Sequence, residues 1–97
     1  MNDIRFSWDN SKALLNKRKH GISFEEAQTV FYDENAIEYF DPEHSETEDR
    51  FLMLGFSLRL RVIVVSYCLR KKGMIIRIIS ARKASQKEEK VYFEGIP

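Results

Sequence analysis

The chain has 97 residues, 43% of them hydrophobic, 32% charged and 12% aromatic, with a net charge of +1. That length holds one domain with a single modest core, and the composition excludes disorder. No apolar run approaches the roughly 20 residues of a membrane helix, the N-terminus lacks a signal peptide's apolar core, and one cysteine, Cys68, excludes an internal disulfide or a thiolate metal cluster. A single domain over 1–97 and a cytoplasmic location are the expectations, with Cys68 a small buried hydrophobe inside a strand pattern.

In chain order, Ile4 to Trp8 alternates apolar and polar residues and reads as a short strand. Asn10 or Ser11 is placed to cap a helix through KALLNKRKH, which Gly21 ends by supplying a left-handed C-terminal position near His20. Ser23 and Glu26 have capping-box spacing, and Phe24, Ala27, Val30 and Phe31 form one apolar stripe of a second short helix. Ala36 to Phe40 reads as a strand, followed by the exposed turn DPEHSETED.

From Arg50 onward the pattern is β: RFLMLGFS, LRVIVVSYCL and MIIRIISA, joined by hairpin-length connections into an antiparallel meander. The middle segment, Leu60 to Leu69, is apolar at both parities, as a central strand is. Ser85 and Glu88 form another capping box and open a last helix toward Tyr92 and Phe93. The predicted fold class is α+β: a short first strand, two helices, an antiparallel sheet and a C-terminal helix.

Charge is divided along the chain. From Glu25 to Asp49 there are ten acidic residues and no Lys or Arg, whereas Arg50 to Lys90 holds eleven Lys or Arg against Glu88 and Glu89. This division suits two solvated surfaces, or a basic face for a polyanion beside an acidic face for a basic partner. Arg77 interrupts an apolar strand, where an unpaired buried charge is costly, so it must reach solvent or a partner. By simple alternation Arg77 goes with Ile75, Ile79 and Ala81, and Arg82 with Ile76, Ile78 and Ser80, on opposite faces. Arg82 and Lys83 stand just before the last helix, whose free N–H groups and dipole favour an anion. The acidic turn with His44 is rich in oxygen ligands, but it has no metal-site spacing, and no metal or other cofactor is expected.

F-S-W-D-x-x-K near the start, N-x-x-K-H-G-I-S-F-E-E-A-x-x-V-F-x-D through Asp33, a Gly in the middle strand region and I-R-I-I-S-A-R-K-A near the end together resemble the BrnT family over nearly the whole chain. The resemblance implies a type II toxin with a RelE-like fold. It implies a small endoribonuclease without a metal, neutralised by a BrnA-type antitoxin whose ribbon-helix-helix part binds operator DNA. A homodimer and a heterotetramer with the antitoxin both stay open.

Metal-independent RNA cleavage uses the neighbouring 2′-OH as nucleophile. It therefore needs a base, cations for the phosphate oxygens and an acid for the leaving oxygen. Arg77 and Arg82 are the first choices for the phosphate, because a guanidinium stays charged and binds two oxygens at once, with Lys83 and Arg50 in support. His20, Lys19 and Tyr92 are the candidates for proton transfer, although His20 also suits a helix C-terminus and Tyr92 also suits packing. Lys17, Arg18 and Lys19 are candidates for tracking an RNA backbone. A non-catalytic antitoxin partner and co-repressor is the alternative function, and DNA binding in its own right ranks last for want of a base-reading helix.

Overall fold

The structure, a computed structural model, describes residues 4–97. Strand β1 (Arg5–Ser7) leads to helix α1 (Asn10–His20), helix α2 (Phe24–Thr29) and a 3-10 turn at Val30–Tyr32. Strand β2 (Ile37–Asp41), a 3-10 turn at Pro42–His44, strands β3 (Arg50–Phe56), β4 (Val62–Arg70) and β5 (Ile75–Lys83), and helix α3 (Gln86–Glu94) complete the chain. The sheet order is β1-β5-β4-β3-β2. Neighbours from β2 to β5 pair antiparallel, but β1 lies parallel to β5, so the sheet is mixed where an antiparallel one was expected.

Local chemistry explains the boundaries. Asp9, rather than Asn10 or Ser11, caps α1: its carboxylate accepts the Lys12 N–H at 3.1 Å. At the other end Gly21 takes φ 74° and donates its N–H to the Lys17 carbonyl. Leu60, expected within the middle strand, instead adopts φ 61° in the β3–β4 hairpin, its N–H bonded to the Ser57 carbonyl. Ser23 caps α2 through the Glu26 N–H, but the reciprocal half of the box is missing. The buried Glu26 carboxylate turns instead to the Arg61 guanidinium at 2.6 Å and accepts the Ser57 hydroxyl at 2.7 Å, bracing the hairpin against α2. The Ser85–Glu88 box at α3 is complete.

One face of the sheet carries the larger core: Ile63, Val65, Tyr67, Ile76, Ile78 and Ala81 under Ile22, Phe24, Ala27 and Val30. Trp8 meets Phe24 edge to face at 6.0 Å. Here α2 and its 3-10 turn run close over β3, since a Cβ at Gly55 would sit 3.0 Å from that of Val30. Asn16, 7% exposed, fastens α1 to the edge of β5. Its side-chain amide exchanges two hydrogen bonds with the Ala81 backbone, at 2.9 and 3.0 Å, and donates a third to the Ile22 carbonyl. In effect it extends the β1 ladder along β5 with a side chain.

The opposite face is only partly covered. Tyr92 of α3 packs with Leu54, Val62 and Val64 and leaves the other end of the face to solvent. The Tyr92 hydroxyl donates to Asp33 at 2.6 Å, and the same carboxylate oxygen accepts the Phe56 N–H, so one acid ties α3 to β3. Burial works against the charged form of Asp33, but these two donors and the Asn35 N–H outweigh it and hold the carboxyl below its ordinary value.

Candidate active site on the open face of the sheet

Cross-strand partners share a face, so register places the side chains. Arg77 pairs with Ser7 on one side and Cys68 on the other; Cys68 pairs with Arg50, and Arg50 with Asp41. Arg77 and Arg50 therefore project from the same face, with buried Cys68 between them on the intervening strand. At about 4.8 Å per strand their Cα atoms lie roughly 10 Å apart, a span that two long side chains can close on one phosphate. Arg70, two residues beyond Cys68 on β4, joins them from the same side. Together with Asp9, Lys12 and Glu48 the three arginines line a cleft of about 120 Å³.

The cleft holds four cations against two carboxylates, Asp9, which caps α1, and Glu48. Glu48 bonds Arg70 at 2.7 and 3.1 Å, and that guanidinium holds its carboxyl below the ordinary range. Among the described residues neither Arg77 nor Arg50 makes a side-chain ion pair or hydrogen bond. Burial pushes the Cys68 thiol up, so the group beneath the arginines stays protonated.

Arg82 lies on this face too, contrary to simple alternation. A register shift between Ser66 and Tyr67 inserts one extra residue in β5: Ser66 pairs with Ser80, but Tyr67 pairs with Ile78. Beyond the bulge the parity inverts, which lets Ile76, Ile78 and Ala81 all enter the helix-side core and puts Arg77, Ser80 and Arg82 together on the other side.

Arg82 is nonetheless occupied. Its guanidinium forks onto Glu88 at 2.8 and 3.0 Å, and Glu88 also accepts the Ser85 N–H at 2.8 Å. The carboxylate thus fills the mouth of α3 where an external anion was expected. The Arg82 fork is the main reason that Glu88 titrates at about 2, against the opposing effect of burial. Lys83, paired with Ile63 at the end of β5, lines a separate hollow with Arg61, Glu89 and Phe93.

The other candidates stand apart from the cleft. Tyr92 is 3% exposed, and burial together with Asp33 raises its phenol to about 12, so it serves as an anchor of α3. Lys17, Arg18 and Lys19 are exposed in the last turn of α1, with half-buried His20 after them. Only the first turn of that helix reaches the cleft, through Lys12; at 1.5 Å per residue His20 lies roughly 12 Å further along the axis.

The family profile described as "Ribonuclease toxin, BrnT, of type II toxin-antitoxin system" matches residues 8–88. The chain belongs to the BrnT family. A solved structure with a similar fold is the 1.1 Å crystal structure of the Brucella abortus ribonuclease toxin BrnT, at a TM-score of 0.63 and 23% identity, covering 87% of this chain and 100% of that one. No curated protein matches the sequence. As a type II system, the BrnT family implies an antitoxin partner. No helix among the described residues is long and apolar enough to cross a membrane.

Within this BrnT-family chain, the blocks that carry the sequence resemblance are largely framework. Asn16, Gly21, Asp33 and Gly55 clamp, turn, anchor and make room. Four residues of the cleft escaped sequence reasoning: Asp9, Lys12, Glu48 and Arg70. A signal for one existed, since one parity of β4 turns less apolar toward its end, through Ser66, Cys68 and Arg70. Glu48 had no such signal, because its position depends on how the loop after β2 folds back to meet Arg70.

Proposed function

We propose that this chain is a metal-independent endoribonuclease with a RelE-like catalytic face, and that the Arg50–Arg70–Arg77 cleft is its active site. The observation that carries this reading is the convergence of three guanidinium groups on one open face, two of them unengaged and the third paired with Glu48. Arg77 and Arg50 bind the non-bridging oxygens of the scissile phosphate and stabilise the charge that builds on them.

Glu48 accepts the 2′-OH proton while that oxygen attacks phosphorus, and Arg70 keeps the carboxylate deprotonated and oriented for the task. Lys12, on the α1 side of the cleft, supplies the proton to the 5′ oxygen as its bond to phosphorus breaks. A 2′,3′-cyclic phosphate and a free 5′-hydroxyl result, with protons balanced. Arg82, held by Glu88, borders the RNA path on the same face, and Lys17, Arg18 and Lys19 track its backbone away from the cleft. Tyr92 anchors α3 through Asp33, and His20 and Lys83 lie away from the cleft.

In this reading one domain in the cytoplasm is neutralised by a BrnA-like ribbon-helix-helix antitoxin, through which alone operator DNA is reached. The acidic 33–49 segment suits a basic part of that partner. The test is incubation of purified protein with a defined RNA in EDTA, followed by analysis of the 3′ ends. Cyclic phosphate termini that require Arg77 support the reading. Intact RNA, or cleavage that depends on added divalent metal, contradicts it.

A further inference from the structure

Beside α3, on the face that carries the arginine cleft, lies an open groove of about 310 Å³. Leu52, Leu54 and Val64 form its floor, Val91 of α3 one wall and Tyr39 of β2 the other, and Lys87 and Glu88 stand at its mouth. Tyr39 is 41% exposed; among the described residues its ring stacks on no other aromatic ring and its hydroxyl has no hydrogen-bond partner. The groove is in register with the cleft. Tyr39 pairs with Leu52 and Leu52 with Ser66, which is two residues from Cys68 beneath the arginines.

At about 3.3 Å per residue along a strand and 4.8 Å between strands, Tyr39 on β2 lies roughly 8 Å from Arg50 on the neighbouring strand, the near end of the clamp, and about the reach from a backbone phosphate to its own base. An apolar slot with one free aromatic face, opening at that distance from a phosphate clamp, has the composition of a base platform. A protein helix laid in the groove would gain nothing from that registration.

We propose that the groove is a nucleobase subsite in which the base next to the gripped phosphate stacks on Tyr39 over Leu52 and Val64, so that Tyr39 carries base discrimination. The inference rests on the ribonuclease reading above. Stacking needs only a ring, so Tyr39→Phe preserves it and Tyr39→Ala removes it. Both changes are at an exposed edge-strand position that leaves the core intact.

The experiment measures binding by fluorescence anisotropy of two non-cleavable probes, a 2′-O-methyl hexanucleotide and a chain of abasic spacer phosphates of equal length. The expected result is that the wild-type protein and Tyr39→Phe bind the base-bearing probe about tenfold or more tightly than the abasic one. Tyr39→Ala should bind the two alike, and Arg77→Ala should weaken both to a similar extent.

Equal binding of both probes by the wild type, weakened by Arg77→Ala, overturns the base subsite and leaves the phosphate clamp standing. Failure of the wild type to bind either probe overturns both. Undiminished discrimination in Tyr39→Ala overturns the assignment of Tyr39. If Tyr39→Ala loosens only the antitoxin complex, the groove belongs to a protein partner and the proposal fails.

Discussion

Replacing Asn16 by Ala tests how the first helix is held to the strand that carries Arg77. The side chain makes three hydrogen bonds, two with the Ala81 backbone and one with the Ile22 carbonyl, in a buried seam. Each buried backbone group left without its partner costs about 1–3 kcal/mol, less where water enters the space that the amide vacates. With two carbonyls able to accept such a water and one N–H stranded at the sheet edge, the sum is about 3 kcal/mol. That is a large part of the roughly 5–15 kcal/mol stability of a domain. At this chain length it corresponds to a fall in Tm of about 12–24 °C. Urea titration and calorimetry of wild type, Asn16→Ala and Asn16→Asp give the comparison. Asn16→Asp keeps the shape but loses the donors and should be at least as destabilised. A loss below about 1 kcal/mol for both variants would refute the claim that the amide splices α1 onto β5.

The Glu88 carboxyl titrates at about 2 in the fold against an ordinary 4.5, so its pairing with Arg82 contributes fully above the ordinary value and fades as pH falls toward 2. Melting curves of wild type and Glu88→Gln should therefore differ most near neutrality and converge in acid; a pH-independent gap contradicts the pairing. Arg61→Ala strands the buried Glu26 carboxylate and should cost about 3 kcal/mol in urea titration, with Arg61→Ala/Glu26→Gln recovering part of the loss. Burial, then the acids Asp33 and Glu38, raise Tyr92 and Tyr67, so two of the four tyrosines should resist ionisation in a spectrophotometric titration until the chain unfolds. Four tyrosines titrating together near pH 10 would contradict the buried pairs.

Local signals in the sequence sufficed for α1, the Gly21 stop, the complete capping box at Ser85 and the central position of β4, because each depends on neighbours within a turn or on hydrophobic period. The parallel docking of β1 on β5 has no local signature; it follows from α1 crossing over the sheet and being clamped through Asn16. The bulge in β5 is equally silent. Its effect on the site is large, since a strict two-residue period puts Arg77 and Arg82 on opposite faces and the extra residue reunites them.

The exit of Arg77 to an open face was legible because a lone charge in an apolar strand must find water or a partner. Its companions Arg50 and Arg70 become companions only through cross-strand register, and Glu48 only through a loop fold. Conversely, the helix mouth that looked ready for an external anion carries its own, because the capping-box glutamate that opens α3 also reaches Arg82.

In the proposed mechanism Arg77, unengaged in the open cleft, grips the scissile phosphate, and Arg82, tied down at the helix mouth, does not. Single-turnover cleavage of RNA in EDTA by wild type, Arg77→Ala and Arg82→Ala measures it. Arg77→Ala should lose about 100-fold or more in rate, as removal of a transition-state donor does, while Arg82→Ala stays within about tenfold of wild type. Loss confined to Arg82→Ala, with Arg77→Ala cleaving at the wild-type rate, would contradict it.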